Sequence, residues 1–354
     1  MTTTRGWSVR SPRRGITAAL AGSLAAGAVL TACTEQVPEP APSPTPEESS
    51  EPAPSGVSVA VVLVPPGGGP SLPADDVEGR LATLAAERVG DVASIRPVTV
   101  DDVDFVPDTA ALLADGGTDV VCVLGGSGPR TVLDLADRFP ATRFCAAGEP
   151  RDDLPANVDL FGIDHEALGH VLGVVAASLA GDRPLGVVTD DDGDERARRR
   201  TGLRAALASS ALVLDAAIAD VDAAAELADA VAQGDEPLAA LVIDTSSTAV
   251  AELLAPAATS WIGPSDLTPD TAAAVRWSIQ VDAIVSAAVD RVVSPDEVDG
   301  PRVLGFAEEV FALHYEEGVP EAVRDAATVA ADEIARGTRD PRQSVRGPDP
   351  PDDE

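Results

Sequence analysis

The chain has 354 residues, of which 45% are hydrophobic and only 3% aromatic, and its formal net charge is −34. Its 25 basic residues are all Arg and stand against 59 acidic ones. The basic cluster Arg196–Arg200 is typical of a solvated helix face, so we exclude nucleic acid as a partner. The length allows two domains of about 100–150 residues besides terminal segments.

Residues 1–32 have the pattern of a secretory signal peptide, with a basic start followed by the uncharged apolar run Ile16–Leu30. About 15 apolar residues are too few to span a bilayer, which needs about 20. The closing Leu30-Thr31-Ala32-Cys33 resembles a bacterial lipobox, which implies that Cys33 is diacylated and becomes the mature N-terminus. The alternative is a plain secretory signal. The Arg13-Arg14 pair leaves both Sec and twin-arginine export open.

Residues 33–56 are rich in Pro, Glu, Ser and Ala, a composition that stays extended and cannot bury a core. We therefore expect a disordered linker that holds a folded region away from the membrane, on its extracytoplasmic face. Residues 339–354 are expected to form a polar tail.

Between Val57 and Thr338, short apolar runs alternate with amphipathic segments. The predicted strands are Val57–Val64, Ala93–Val100, Val120–Leu124, Arg143–Ala147, Leu185–Thr189, Leu212–Asp215, Ala239–Ile243, Ser260–Gly263 and Val310–Leu313. The predicted helices are Asp75–Val89, Asp108–Ala114, Pro129–Phe139, Glu195–Leu207, Ala223–Ala232 and Thr248–Leu254. This alternation predicts parallel sheets, because a crossover helix is what connects parallel strands. Two similar α/β halves suggest two lobes with a cleft between them.

Ligands of such sheets sit beyond the carboxyl ends of the strands. The candidate ligand contacts at these positions are Gly125, Gly126, Ser127 and Gly148 in the first half and Asp190, Thr245, Ser265 and Asp266 in the second. A glycine lets backbone N–H groups approach a ligand closely. The alternative is that Gly125-Gly126 merely turns a strand into a helix.

Several segments occur in a recognisable order and spacing. They are Asp115–Val121, Leu135–Phe144, Pro155–Val158, Glu166–Ala177, Val303–Phe306 and Gly318–Gly337. In this order they resemble the basic membrane protein family, the substrate-binding lipoproteins of certain ABC transporters, which includes purine nucleoside receptors. The resemblance implies an α/β, two-lobed type I periplasmic-binding-protein fold, with each lobe a parallel sheet flanked by helices.

The same resemblance implies where the chain is divided. Residues 57–166 and 279–294 would form lobe 1, and residues 167–278 and 295–338 would form lobe 2. The chain would cross between the lobes near Glu166, near Ile279 and near Ser294.

The pocket segments depart from those of the nucleoside-binding members. Pro65–Leu72 replaces their Asp-Lys-Ser-Phe-Asn-like segment, Gly148 stands in place of an Asp, and Trp277–Val281 replaces Thr-Ser-x-x-Lys. Nucleoside recognition is therefore left open. Trp277 is a candidate stacking residue or a core residue, whereas Trp261 is expected in the core.

Metal and enzyme chemistry find little support. Aligning the acidic run after Val188 with an EF-hand puts Arg199 where an acid is needed, so we expect a solvated turn instead. His165 and His170 are five residues apart, which is not the metalloprotease spacing. The segment around Ser127 nearly spells a nucleophile elbow, but Pro129 replaces its last glycine. We expect no enzyme activity, metal site or cofactor.

Two cysteines besides Cys33, Cys122 and Cys145, fall in presumed neighbouring strands. A disulfide is permitted outside the cytoplasm, but the interpretation we favour is two buried small hydrophobic residues.

The leading hypothesis is a lipid-anchored, extracytoplasmic binding protein of an ABC importer. Its expected partners are a small solute, such as a nucleoside, an ABC permease, and the membrane through the lipid anchor. The alternative is an envelope lipoprotein that kept the fold, lost the pocket and serves as a sensor or interaction partner.

Overall fold

A computed structural model of the protein describes residues 56–64, 76–190, 193–208, 210–234, 236–267, 273–294 and 302–343. The predicted signal peptide, Cys33, the linker up to residue 55 and the pocket segment Pro65–Leu72 lie outside these residues. Within the described ranges, no helix is both long and apolar enough to cross a membrane.

Strands and helices alternate along the described part of the chain. The strands are β1 Val57–Leu63, β2 Val92–Thr99, β3 Val120–Leu124, β4 Arg143–Ala147, β5 Val158–Ile163, β6 Leu185–Asp190, β7 Leu212–Ile218, β8 Leu238–Asp244, β9 Ala258–Pro264, β10 Val275–Ile279, β11 Arg302–Leu304 and β12 Phe311–Tyr315. The helices are α1 Val77–Glu87, α2 Val106–Asp115, α3 Gly128–Ala136, α4 His165–Ala180, α5 Asp194–Ala206, α6 Val221–Ala232, α7 Thr248–Leu254, α8 Val281–Val293 and α9 Glu321–Ala335.

The strands form two six-stranded sheets with matching order. Lobe 1 has the order β11-β5-β4-β3-β1-β2 and lobe 2 the order β12-β10-β9-β8-β6-β7. All pairings are parallel except that between β10 and β12. The predicted α/β architecture of two parallel sheets flanked by helices is confirmed.

Each sheet is covered on both faces, because successive residues of a strand point to opposite sides. In β3, Val120, Cys122 and Leu124 join one hydrophobic cluster, and Val121 and Val123 join another. The first of these clusters contains residues of both lobes, and a third cluster covers the other face of lobe 2. Such doubly covered strands form continuous apolar runs in the sequence.

The chain crosses between the lobes three times. Asp164 links β5 to α4, Gln280 links β10 to α8, and the segment Gly305–Val310 links β11 to β12. Backbone hydrogen bonds tie these crossings together, from Asp164 N–H to Leu304 O at 2.9 Å and from Gln280 N–H to Val310 O at 2.8 Å. Because β5, β10 and β11 lead directly into the other lobe, the carboxyl ends of both parallel sheets meet at this hinge.

The third crossing was predicted near Ser294, and that prediction was wrong. After α8 the chain stays in lobe 1 and forms β11, which pairs with β5. The predicted assignment of all of 295–338 to lobe 2 is corrected accordingly for Arg302–Leu304. A three-residue strand carries too little pattern to be found from sequence.

Helices α4 and α5 pack unusually close together. A Cβ on Gly169 would lie 1.9 Å from the carbonyl oxygen of Arg199, and one on Gly202 would lie 2.0 Å from that of Glu166. Glycine at these positions allows the two backbones to touch, which places the start of α4 beside the middle of α5.

The start of the predicted polar tail is held against lobe 2. His170 Nδ1 lies 3.0 Å from the carbonyl oxygen of Pro341, and the Arg342 guanidinium donates to the carboxylate of Glu166. Residues 339–343 therefore belong to the folded region, which corrects the prediction for this part of the tail.

The cysteines are buried as predicted, but they are bonded to each other. Cys122 and Cys145 lie opposite one another in β3 and β4 and form a disulfide, with their Cα atoms 4.4 Å apart. The interpretation as two separate hydrophobic residues is corrected.

Candidate functional site

The strand ends of lobe 1 form tight turns. Gly125 has a φ of +138°, and a Cβ on it would lie 2.5 Å from Cβ of Val64 at the end of β1. A Cβ on Gly148 would lie 2.8 Å from Cγ of Pro129, so the proline ring covers this residue. These glycines therefore serve local packing, and Gly126 remains exposed beside them.

Ser127 is different from its glycine neighbours. Its hydroxyl oxygen is buried and makes no hydrogen bond to any of the described residues, which leaves a polar group in need of a partner. Within the described ranges, no His or carboxylate side chain hydrogen-bonds to this hydroxyl, so none of those residues is placed to act as a base toward it.

In lobe 2, Asp190 and Thr245 organise the ends of β6 and β8. The Asp190 carboxylate accepts hydrogen bonds from the backbone N–H and hydroxyl of Ser246, at 3.0 and 3.2 Å, and lies 3.4 Å from Arg196. Thr245 is buried, and its hydroxyl accepts from Ser247 N–H at 3.0 Å. A cavity of about 520 Å³ opens at this rim, lined by Asp190, Ser246 and Ser247 among others.

Ser265 and Asp266 follow β9 and are half-buried. The Ser265 backbone N–H donates to the carbonyl oxygen of Trp277 at 2.8 Å. The hydroxyl oxygen of Ser265 is buried, and no residue in the described part of the chain hydrogen-bonds to it. Ser127 and Ser265 thus offer one unsatisfied hydroxyl in each lobe, each just beyond the carboxyl end of a strand.

The two lobes touch near these strand ends. Arg198 of α5 lies 3.9 Å from the carboxylate of Glu149, which follows β4. This contact joins α5 of lobe 2 to the carboxyl end of β4, a central strand of lobe 1.

Trp277 is a core residue in this structure. It is 1% exposed, and the guanidinium carbon of Arg199 lies 5.1 Å from its ring centroid. No ring face is available for a ligand, which corrects the expectation that Trp277 could stack on one. Trp261 is also buried, as predicted.

A buried polar cluster surrounds Arg199 that sequence reasoning missed. Arg199 donates to both carboxylate oxygens of Asp244, at 2.7 and 3.1 Å, and its Nη1 lies 2.9 Å from Nδ1 of His165. All three side chains are nearly inaccessible to solvent. Burial, followed by the charges of Arg199 and Arg198, lowers the pKa of His165 well below 6.5, so the neutral ring accepts from the guanidinium. The sequence did carry one sign of this cluster, because the otherwise apolar strand β8 ends in the acidic residue Asp244.

Within the described ranges, no group of three or more His, Cys, Asp or Glu side chains is placed to hold a metal ion. Asp191 and Asp192, part of the rejected calcium loop, lie outside those ranges.

No family model and no curated protein sequence matches the chain. Solved structures do. A solute-binding protein of an ABC transporter system from Conexibacter woesei is 19% identical, with a TM-score of 0.57 over 83% of this chain and 99% of that one. A transcriptional activator of the comK gene from Bacillus halodurans is 17% identical, with a TM-score of 0.58 over 80% of this chain and 99% of that one.

A third structure is a periplasmic solute-binding protein of an ABC transporter from Actinobacillus succinogenes with bound D-allose. It is 10% identical, with a TM-score of 0.51 over 74% of this chain and 99% of that one. Identities this low establish the fold and leave the predicted membership of the basic membrane protein family a prediction. The two sheets, their shared strand order and these structural neighbours together identify a two-lobed type I periplasmic-binding-protein fold.

Proposed function

We propose that this protein is an extracytoplasmic substrate-binding protein of an ABC importer, anchored to the membrane by lipid on Cys33. Two lobes joined by three short crossings take a small solute between them, and the closed form is recognised by a permease. The observation that carries this proposal is the meeting of the carboxyl ends of both sheets at the hinge, since ligands of open α/β sheets bind beyond those ends. The protein performs no chemistry on the solute.

The two unsatisfied hydroxyls favour a polar solute. Ser127 Oγ and Ser265 Oγ are buried and have no hydrogen-bond partner among the residues that the structure describes, and a solute rich in hydroxyl or amide groups would supply partners for both. A sugar fits this description, as D-allose does in a structural neighbour, and a nucleoside fits it as well.

The first test is thermal unfolding of the mature chain carrying Cys33→Ser, against panels of nucleosides, free bases and sugars. A ligand that binds only the folded state raises stability by about 2.7 kcal/mol at 100-fold excess over Kd. A solute that does so should bind at least about tenfold more weakly to Ser127→Ala and Ser265→Ala, because each variant loses a hydrogen bond. Ser286→Ala on α8 is the control.

The anchor is tested separately by cell fractionation. The wild-type chain should sediment with membranes, and Cys33→Ser should be released from them. Equal membrane retention of the two proteins would count against lipidation at Cys33.

A second function is an envelope lipoprotein that binds a protein partner and no solute. It is favoured by the burial of Trp277 beneath Arg199 and by the proline ring over Gly148. An unchanged unfolding temperature across the whole panel, together with crosslinking of the anchored protein to a specific envelope protein other than a permease, would favour it over the importer.

A further inference from the structure

A separate cavity of about 400 Å³ lies beside the hinge. Its lining includes Arg80 from the first turn of α1 in lobe 1 and Asp332 from the last turns of α9 in lobe 2. Gln280 of the second crossing and Phe306 and Glu309 of the third also line it. The volume is within the range of small-molecule sites, and the cavity does not include the strand-end residues of the solute site proposed above.

Charges of both signs occur at this cavity. Arg80 lies 3.6 Å from Asp282, and both side chains are about one-third exposed, so its guanidinium retains donors for a second carboxylate. Glu309 and Asp332 are exposed. Across the described part of the chain, neither of their carboxylates has a hydrogen bond or an ion pair. A ligand with a positive and a negative group would match this arrangement.

Gln280 supplies an independent sign of a ligand. It is only 4% exposed, and its Nε2 donates to Ser278 Oγ at 2.8 Å. Its amide oxygen is buried, and no described residue donates a hydrogen bond to it. Buried acceptors are rarely left unmet in proteins, so a donor from a bound molecule is expected here.

The remaining wall is apolar. Phe306 and Phe311 pack in a tilted pair with their ring centroids 5.0 Å apart, and both line the cavity beside alanines of α9. A short aliphatic side chain fits against this wall, since burying it removes apolar area from water.

We propose that this cavity binds an α-amino acid with a small apolar side chain. The carboxylate pairs with Arg80, the ammonium group donates to Asp332, Glu309 and the amide oxygen of Gln280, and the side chain packs against Phe306 and Phe311. The ligand contacts both lobes and two of the three crossings, so its binding stabilises one angle between the lobes. This site is additional to the strand-end site and does not depend on the importer function.

The experiment is titration calorimetry of the mature chain carrying Cys33→Ser with leucine. 3-Methylbutylamine lacks the carboxylate of leucine and 4-methylpentanoate lacks its ammonium group, and each should bind at least about tenfold more weakly. Arg80→Gln and Asp332→Asn should weaken leucine binding by a similar factor. Two matched controls should bind leucine as tightly as the parent does. Arg88→Gln removes the arginine that pairs with Asp290 of α8, much as Arg80 pairs with Asp282. Asp325→Asn changes an aspartate on α9.

The proposal is overturned if leucine, valine and alanine all fail to bind at millimolar concentration, or if Arg80→Gln and Asp332→Asn bind leucine as the parent does. Leucine binding that is lost in Ser265→Ala but kept in Arg80→Gln would also overturn it, while supporting solute binding at the strand ends. A sugar or nucleoside found in the earlier panel should leave a site for leucine.

Discussion

Arg199 contacts both Trp277 and Asp244, which lie far apart in the sequence. Its guanidinium covers the ring of Trp277 and donates hydrogen bonds to both carboxylate oxygens of Asp244. Asp244 ends β8, and Trp277 lies on β10, so the arginine fixes α5 to two strands of lobe 2. The proposed solute site is therefore built beside a rigid polar cluster, and the tryptophan belongs to its support.

Loss of one partner of this ion pair should be costly. Asp244→Asn leaves Arg199 charged and buried, and breaking a buried pair in this way costs about 3–5 kcal/mol. Urea unfolding measures the difference. The control is Asp134→Asn, because its pair with Arg130 at 3.8 Å is largely exposed and should contribute less than about 1 kcal/mol. Similar losses for the two variants would contradict the assigned role of Asp244.

Gly169→Ala should destabilise the protein by about 3 kcal/mol or prevent folding. The added methyl group would clash with backbone atoms, which cannot move aside as a flexible side chain could. The new methyl carbon would meet the carbonyl oxygen of Arg199. Gly116→Ala is the comparison, since its nearest neighbour would be 3.3 Å away and its φ is −72°. Denaturant unfolding of both variants checks the difference, and a tolerated Gly169→Ala would argue against the close helix contact.

Stability should fall as the pH is lowered below about 6.5, in part through His165. Its pKa is depressed in the folded state by burial and by Arg199 and Arg198. Between the folded and unfolded pKa values, the unfolded chain takes up a proton that the folded chain does not, so the free energy of unfolding decreases with falling pH. Above pH 6.5 the contribution is fully present.

This dependence is checked by urea unfolding at several pH values between 5 and 8, for the parent and for His165→Gln. Glutamine does not titrate, so the variant should show a shallower loss of stability toward pH 5. Parallel curves for the two proteins would show that His165 does not contribute.

The disulfide should contribute about 2–4 kcal/mol to the free energy of unfolding. It joins residues 23 positions apart and so restricts the conformations of the unfolded chain. The double variant Cys122→Ala/Cys145→Ala should unfold at lower urea concentration than the parent. When the parent is unfolded and refolded in the presence of a reducing agent, its free energy of unfolding should fall, whereas that of the variant should not change. If the parent and the variant unfold at the same urea concentration under oxidising conditions, the disulfide is contradicted.

The fold was largely predictable from local patterns. Predicted strands Val120–Leu124 and Arg143–Ala147 have the same bounds as β3 and β4, because short apolar runs that end in glycine are distinctive. Periodicity could not reveal helix α4, since this helix is buried on most of its surface and has no polar face to show its period.

The candidate site was less predictable because it depends on pairing across long distances. The Cys122–Cys145 bond requires β3 and β4 to be neighbours in one register. The contact of Arg199 with Trp277 requires a helix and a strand that are far apart in the chain to meet, and no local pattern reports that. Residues at strand ends could be placed from sequence, but their partners could not.

The three crossings also determine how the lobes can move. Each crossing is a short tether, and backbone hydrogen bonds join the first to the third and the second to the third. Independent twisting or sliding of one lobe would strain these bonds, so we expect the lobes to move by bending at the crossings. If bending is the main motion, a ligand that fixes the angle between the lobes sets the orientation of both lobes at once.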